Sequence, residues 1–129
     1  MAHPNEDLIR RGYEAFNKGD TETLRELFDP AIVWHFPGRS VLAGDHHGAD
    51  AVLGFFGRTQ ELTAGTFRVE LHAVVADDQH TVGLHLATGE REGRTLKDRE
   101  VVVFHVRDEK VVEVWQYIEN QYTYDEFFS

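Results

Sequence analysis

Residues 30–48, PAIVWHFPGRSVLAGDHHG, decide how the rest of this chain is interpreted. The apolar segment 31–34 predicts a β-strand, since β-branched and aromatic residues suit a pleated, half-buried surface. His35 follows at the end of that strand, between Trp34 and Phe36. A Pro–Gly pair then ends the strand, because Pro lacks a ladder donor and Gly permits turn dihedrals. An ionisable ring between two aromatic side chains at a strand end is typical of a pocket residue.

Composition restricts the class of protein. The 129 residues fit one domain with one core, so we predict a single domain over residues 1–129. The chain has no Cys, which excludes a disulfide framework and a thiolate metal site. The net charge is −10, with 13 Lys and Arg against 23 Asp and Glu, and this disfavours nucleic acid as a partner.

Location follows from the same composition. No apolar run approaches the roughly 20 residues that a bilayer-spanning helix needs, and the first residues, MAHPNEDL, lack the apolar core of a signal peptide. We therefore expect no membrane partner and a cytoplasmic location.

Helical periodicity dominates the first half of the chain. Residues 5–17 carry apolar side chains near helical spacing, and Gly19 suits a left-handed C-cap. A second helix is predicted to start at Asp20 or Thr21 and to end before Pro30. Residues 49–61 predict a third helix.

From residue 66 onward, apolar and polar residues alternate. Turn signals separate four such runs, which predicts an antiparallel meander. The predicted strands are residues 67–74, 81–91, 95–107 and 111–121. Helices followed by a curled sheet predict an α+β fold.

Several segments of this order resemble one known family. They are Phe16–Asp20, Leu27–Phe28, Val33–His35, Gly44–Gly48 and Val111–Trp115. Together they resemble the nuclear transport factor 2-like superfamily, and most closely its SnoaL-like, ketosteroid-isomerase-related branch. The resemblance implies a cystatin-like fold: a cone formed by a strongly bent antiparallel sheet and three helices in the N-terminal half, with an apolar pocket. It also implies a homodimer formed through the outer face of the sheet.

The resemblance places candidate residues one by one. The base of ketosteroid isomerase falls on His35, its oxyanion tyrosine on Gly12 beside Tyr13, and its oxyanion aspartate on Val102. All three positions depart from that enzyme. The last-strand aspartate of the epoxide-hydrolase branch falls on Gln116, an amide that cannot act as a base. The SnoaL-like cyclases require only a single acid or base in the cone, and this chain still meets that requirement.

His35 is the leading candidate for catalysis, because an imidazole exchanges protons near neutral pH. The alternative is a histidine of the cone wall that is hydrogen-bonded to a neighbour and has no reaction. Gln116 either fixes a ligand carbonyl or satisfies another side chain, and Tyr13 either reaches the cavity as a donor or packs with its hydroxyl in solvent. The predicted ligand-binding residues are Phe16, Trp34, Phe56, Val102 and Phe104.

Two faces are predicted for the strand over residues 95–107. Glu100 begins the face that forms the cone wall, near an end where we expect it to be solvated. The opposite face, with the outer side of the last strand, suits a dimer interface. Its members are Val101, Val103, Trp115 and Tyr117.

Metal binding is not predicted. His46 and His47 follow Asp45, but adjacent residues do not easily direct both rings to one ion, and the three fit a solvated loop better. His85 lies alone in a strand, and its role stays open.

Two classes of function remain. The first is a small enzyme of the isomerase, cyclase or lyase type that needs no cofactor and acts on an apolar carbonyl-bearing molecule, with His35 as general acid or base. The alternative is a non-catalytic module for small-apolar-ligand binding or for dimerisation. The two differ in whether His35 and a donor converge on one empty volume.

Overall fold

An open six-stranded sheet forms the centre of this protein, and the computed structural model describes residues 3–129. The strands are β1 (Phe28–Phe36), β2 (Gly44–His47), β3 (Arg68–Ala76), β4 (His80–Arg91), β5 (Arg94–Arg107) and β6 (Lys110–Ile118). They lie in the order β2-β1-β6-β5-β4-β3. The predicted meander is confirmed over β3 to β6, where each strand pairs antiparallel with the next.

The sheet is mixed, which corrects the expectation of a wholly antiparallel one. β1 pairs parallel with β6, its neighbour on the side away from β2. β2 was predicted as loop, but it pairs antiparallel with the end of β1, with Trp34 opposite His46. Its sequence, Gly-Asp-His-His, has no apolar alternation that would indicate a strand.

Within residues 3–129, four helices accompany the sheet: α1 (Pro4–Lys18), α2 (Thr21–Leu27), α3 (Ala49–Leu62) and α4 (Gln121–Phe127). The first three confirm the predicted helices, and the α+β class is confirmed with them. Gly19 ends α1 with a φ of 69°, and the Asp20 carboxylate caps α2 by accepting from the Thr23 amide at 3.1 Å. α4 was missed, because the last strand was extended to residue 121. Among residues 3–129, no helix has the length and apolarity needed to cross a bilayer.

Aromatic side chains fill the space between the helices and the inner face of the sheet. The Trp34 and Phe56 rings meet edge to face at 5.1 Å, and Phe16 meets Phe56 at 5.0 Å. Such pairs add about 0.5–1.5 kcal/mol each beyond the burial of their area. Tyr124 and Phe128, from α4 and the residue after it, are fully buried and extend this core.

Asn17 anchors α1 to the sheet. β3 is an edge strand, so one side of its backbone lacks a strand partner. The Asn17 side chain fills that side at one residue: its Nδ2 donates to the Val69 carbonyl at 2.7 Å, and its Oδ1 accepts from the Val69 amide at 3.0 Å. Helix α1 is thereby fixed against the sheet edge.

We expect Asn17→Ala to lower the free energy of unfolding by about 1–3 kcal/mol, because both backbone groups of Val69 lose their partners. Asn17→Asp keeps the acceptor for the Val69 amide but turns a carboxylate oxygen toward the Val69 carbonyl, so it should not recover the loss. Urea unfolding checks this, with the exposed Glu14→Ala as the control. A loss for Asn17→Ala no larger than that of the control would show that the anchor contributes nothing.

Candidate active site

One apolar cavity lies between the helices and the inner face of the sheet. Its volume is about 80 Å³, which is room for several waters or for a small ligand. All five predicted ligand-binding residues line it, and so do Tyr13 and Gln116. The role of these residues in binding stays a prediction. Other apolar side chains complete the wall: Leu8, Ile9, Leu24, Leu27, Phe28, Phe36, Phe55, Phe67, Val69 and Val111.

A row of hydrogen-bonded polar side chains crosses this apolar wall. The Tyr13 hydroxyl lies 2.6 Å from Nδ1 of His85, and Nε2 of His85 lies 2.8 Å from Oε1 of Glu100. Gln116 Nε2 donates to the same Glu100 oxygen at 2.6 Å. We call Tyr13, His85, Glu100 and Gln116 the inner polar row. Four elements contribute one member each, so the row exists only in the folded chain.

Trp34 sets the orientation of the Gln116 amide. The indole Nε1 is a donor only, and it lies 3.0 Å from Oε1 of Gln116. The amide oxygen must therefore face Trp34, which turns the amide nitrogen toward Glu100. Gln116 thus acts as a fixed donor to the Glu100 carboxylate. These contacts correspond to the second of its two predicted roles, in which the amide satisfies another side chain.

At the other end of the row, the direction of the hydrogen bond between Tyr13 and His85 depends on which His85 nitrogens carry hydrogen. When His85 Nε2 carries hydrogen and donates to Glu100, Nδ1 is an acceptor for the Tyr13 hydroxyl. When both ring nitrogens carry hydrogen, the Tyr13 oxygen accepts from His85, and its own hydrogen is free for a ligand in the cavity. Burial, followed by the charge of Glu100, raises the pKa of Tyr13, so the phenol remains a donor over the physiological range.

Gly83 makes room for Tyr13. A Cβ at Gly83 would lie 2.6 Å from the Tyr13 hydroxyl oxygen and 3.0 Å from Cε2 of its ring. Both residues therefore belong to one arrangement, in which the absence of a side chain on β4 lets the tyrosine of α1 reach His85, two residues along the same strand.

His85 and Glu100 were not identified as a pair from the sequence, and the expected solvation of Glu100 was wrong. His85 is 7% exposed and Glu100 2% exposed. The signal was present in β4, where every second residue from Thr81 to Gly89 is buried. The same alternation in β5 turns Glu100 inward, and the two residues are directly opposite each other in the β4–β5 pairing.

The expectation that His35 lines the cavity was wrong. β1 alternates, so Trp34 and Phe36 face the interior and His35 faces the outer side of the sheet. There its Nδ1 lies 2.7 Å from Asp45 and its Nε2 2.6 Å from Glu113. The ring stacks on Trp115 at 5.3 Å. His35 therefore has no access to the cavity that Tyr13 and Gln116 line.

The two carboxylates change the titration of His35. The hydrogen bond to Glu113 raises the pKa of His35, burial opposes this rise, and the hydrogen bond and charge of Asp45 add to it. Because the folded-state pKa lies above the unfolded value, the protonated ring stabilises the fold. That contribution is fully present below the unfolded pKa of about 6.5 and is lost as the pH rises through the folded pKa.

We expect His35→Gln to remove this part of the pH dependence. Between about pH 6 and pH 9, wild type should lose more unfolding free energy than the variant, because only wild type releases the extra proton. Urea unfolding at several pH values measures the difference. Equal pH dependence of the two proteins would show that the ion pairs do not hold the proton.

The remaining histidines of the 30–48 segment and β2 do not form a metal site. His46 is held by a contact between its Nε2 and the Leu42 carbonyl at 2.8 Å, and its ring stacks on Phe55 at 4.4 Å. His47 is exposed. In the part of the chain that the structure describes, no three His, Cys, Asp or Glu side chains are grouped to hold a metal ion.

Comparisons with known proteins agree with this fold. The family model of the SnoaL-like domain matches residues 9–114. Bal32a, from a soil-derived mobile gene cassette, is 42% identical with a TM-score of 0.94, over 97% of this chain and 96% of that one. IdmH of Streptomyces antibioticus, for which a polyketide cyclase activity is proposed, is 28% identical with a TM-score of 0.77, over 92% and 94%. A nuclear transport factor 2-like protein of Burkholderia xenovorans shares the fold, with 23% identity and a TM-score of 0.85 over 100% and 98%. The resemblance to this superfamily is confirmed.

Proposed function

The chain belongs to the SnoaL-like domain family, and from this premise we propose that it is a small acid–base enzyme of the isomerase, cyclase or lyase type that needs no cofactor. Its substrate is an apolar carbonyl-bearing molecule held in the cavity. The similarity to IdmH supports a cyclase-like reaction. The observation that carries the proposal is the inner polar row, which brings an acid, a base and a carboxylate to one wall of an otherwise apolar cavity.

The residues of the row divide the reaction between them. With His85 neutral, the Tyr13 hydroxyl donates to Nδ1, so the Tyr13 oxygen takes the proton from the carbon beside the carbonyl while its own hydrogen passes to His85. Glu100 stabilises the imidazolium that forms, and when His85 gives the hydrogen back, Tyr13 delivers a proton to a second carbon. The proton count is unchanged at the end, so the step needs no oxidant and no metal-bound water. Gln116 holds the Glu100 carboxylate in place.

Exclusion of water favours this assignment over His35. The inner row is buried in an aromatic surrounding, where a hydrogen bond to a developing charge is stronger than in water. His35 faces the outer side of the sheet and is not among the residues that line the cavity, whereas His85 is. In this proposal the proton is therefore held by His85, acting through Tyr13, and not by His35.

The test uses one substitution at two positions. His85→Gln keeps the size and some hydrogen bonding of the side chain but cannot shuttle a proton, so turnover of small cyclic ketones and enones should fall about 10²–10⁴-fold. Affinity for the same ligands should change little, since the aromatic wall supplies most of the binding energy. His35→Gln, on the outer face, is the matched control and should keep turnover within a few-fold.

Two outcomes of this test would contradict the proposal. Equal turnover of wild type and His85→Gln would refute the role of His85. No turnover by wild type across the panel, together with tight binding in all three proteins, would assign the protein to the alternative, a non-catalytic module that binds small apolar ligands.

We further propose that the chain forms a homodimer through the outer face of the sheet. Two residues of the predicted interface expose apolar side-chain surface on this face. Val101 is 38% exposed and Tyr117 is 56% exposed. Val75 of β3, at 59%, lies on the same face, opposite Val82 of β4. Apolar groups of this kind on one sheet face are typical of a surface that a second copy covers.

Sedimentation equilibrium checks the dimer. Wild type should be dimeric at micromolar concentration, and Tyr117→Lys should be monomeric because it places a charge in the interface. Tyr122→Lys is the control, since Tyr122 is 90% exposed on α4 and lies away from the sheet. A monomeric wild type would contradict the proposal.

A further inference from the structure

A second carboxyl group lies behind the inner polar row. Asp98 precedes Glu100 by two residues on β5, so both side chains point to the inner face. Asp98 is 4% exposed and Glu100 2% exposed. We call these two residues the carboxyl pair. Two carboxyl groups this well buried do not both carry a charge without strong compensation.

The hydrogen bonds of the carboxyl pair are incomplete if both groups are ionised. Oε1 of Glu100 accepts from Gln116 and contacts His85, and Oδ1 of Asp98 accepts from the Asn120 amide at 3.3 Å. The other two oxygens, Oδ2 of Asp98 and Oε2 of Glu100, have no donor. One proton placed between the two groups satisfies both oxygens with a single hydrogen bond.

We propose that Asp98 and Glu100 share one proton, which makes Asp98 a positioning residue for the inner polar row. Protonated Asp98 donates to Glu100, and the Glu100 carboxylate is thereby turned so that Oε1 faces His85 and Gln116. Asp98 does not line the cavity and touches no substrate. Its catalytic consequence rests on the function proposed above, but the shared proton does not.

The charges around the carboxyl pair favour retention of the proton. Burial, then the charge of Glu100 and the hydrogen bond to it, raise the pKa of Asp98 to about 7. The titratable groups that face the pair from other elements are neutral or acidic, His85 excepted: Tyr13 of α1, Glu119 after β6, and Tyr124 of α4. Neither Lys nor Arg is among the residues that line the cavity.

A shared proton leaves one negative charge beside the cavity. A neutral ketone or enone is compatible with that charge, whereas a carboxylate ligand meets repulsion with no cation to offset it. Above the pKa of Asp98, the pair holds two negative charges, and Glu100 loses the donor that positions it. Turnover should therefore fall as the pH rises through about 7.

Asp98→Asn separates positioning from simple packing. The asparagine amide donates to Glu100 at every pH, so the variant should keep its turnover below about pH 7 and lose the decline above it. Asp98→Ala lacks a donor and should show low turnover throughout. Asp108→Asn, at the exposed β5–β6 turn, is the matched control and should retain the decline.

Carbon-13 NMR of the carboxyl carbons tests the shared proton without any substrate. Wild type should show one carboxyl that titrates near pH 7, and this titration should be absent in Asp98→Asn and present in Asp108→Asn. If every carboxyl of wild type titrates in the ordinary range of about 3–5, the inference is wrong even if the enzyme turns over. A titration near pH 7 in a protein with no turnover would refute only the proposed function.

Discussion

The buried carboxylate of Glu100 is the constraint on which the inner side of the sheet depends. A carboxylate in an apolar interior needs donors, and three neighbouring strands supply or support them. His85 and Gln116 reach it from β4 and β6, and Trp34 of β1 fixes the amide of Gln116. Because the contacts from His85 and Gln116 converge on one Glu100 oxygen, and Trp34 fixes the second of these donors, the register of the strands and the arrangement of the polar row are mutually dependent.

Alternation along the strands explains both the successful and the failed sequence predictions. In β5 the period of two correctly placed Val102 and Phe104 on the inner face, and in β6 the period of two together with the family alignment placed Gln116 there. In β1 the same period of two places His35 on the outer face, because its neighbour Trp34 is on the inner face. The family resemblance favoured His35 as a base position, and that alignment was given more weight than the pleat of the strand.

Elements held by tertiary contacts were beyond what local patterns could predict. β2 is polar and exists because it pairs with β1, and the parallel pairing of β1 with β6 joins residues about 80 positions apart. Helix α4 spans only seven residues, too short to be stable alone. Its place is set by Tyr124, which is buried beside Phe36 and Phe128. The burial of Glu100 could not be predicted for the same reason. The period of β5 turns its side chain inward, but its burial depends on partners from other strands.

The two faces of the sheet carry two histidine–carboxylate contacts with different consequences. On the outer face, Glu113 is 39% and Asp45 57% exposed, so solvent screens their attraction to His35, and the contact serves mainly to join β1, β2 and β6. On the inner face, His85 is 4% and Glu100 0% exposed at their side chains. Screening is weak there, and a proton that moves along the row changes the field felt by a ligand in the cavity. The same pair of residue types is therefore a structural contact on one side and, in the function proposed above, the acid–base group on the other, and burial is what distinguishes them.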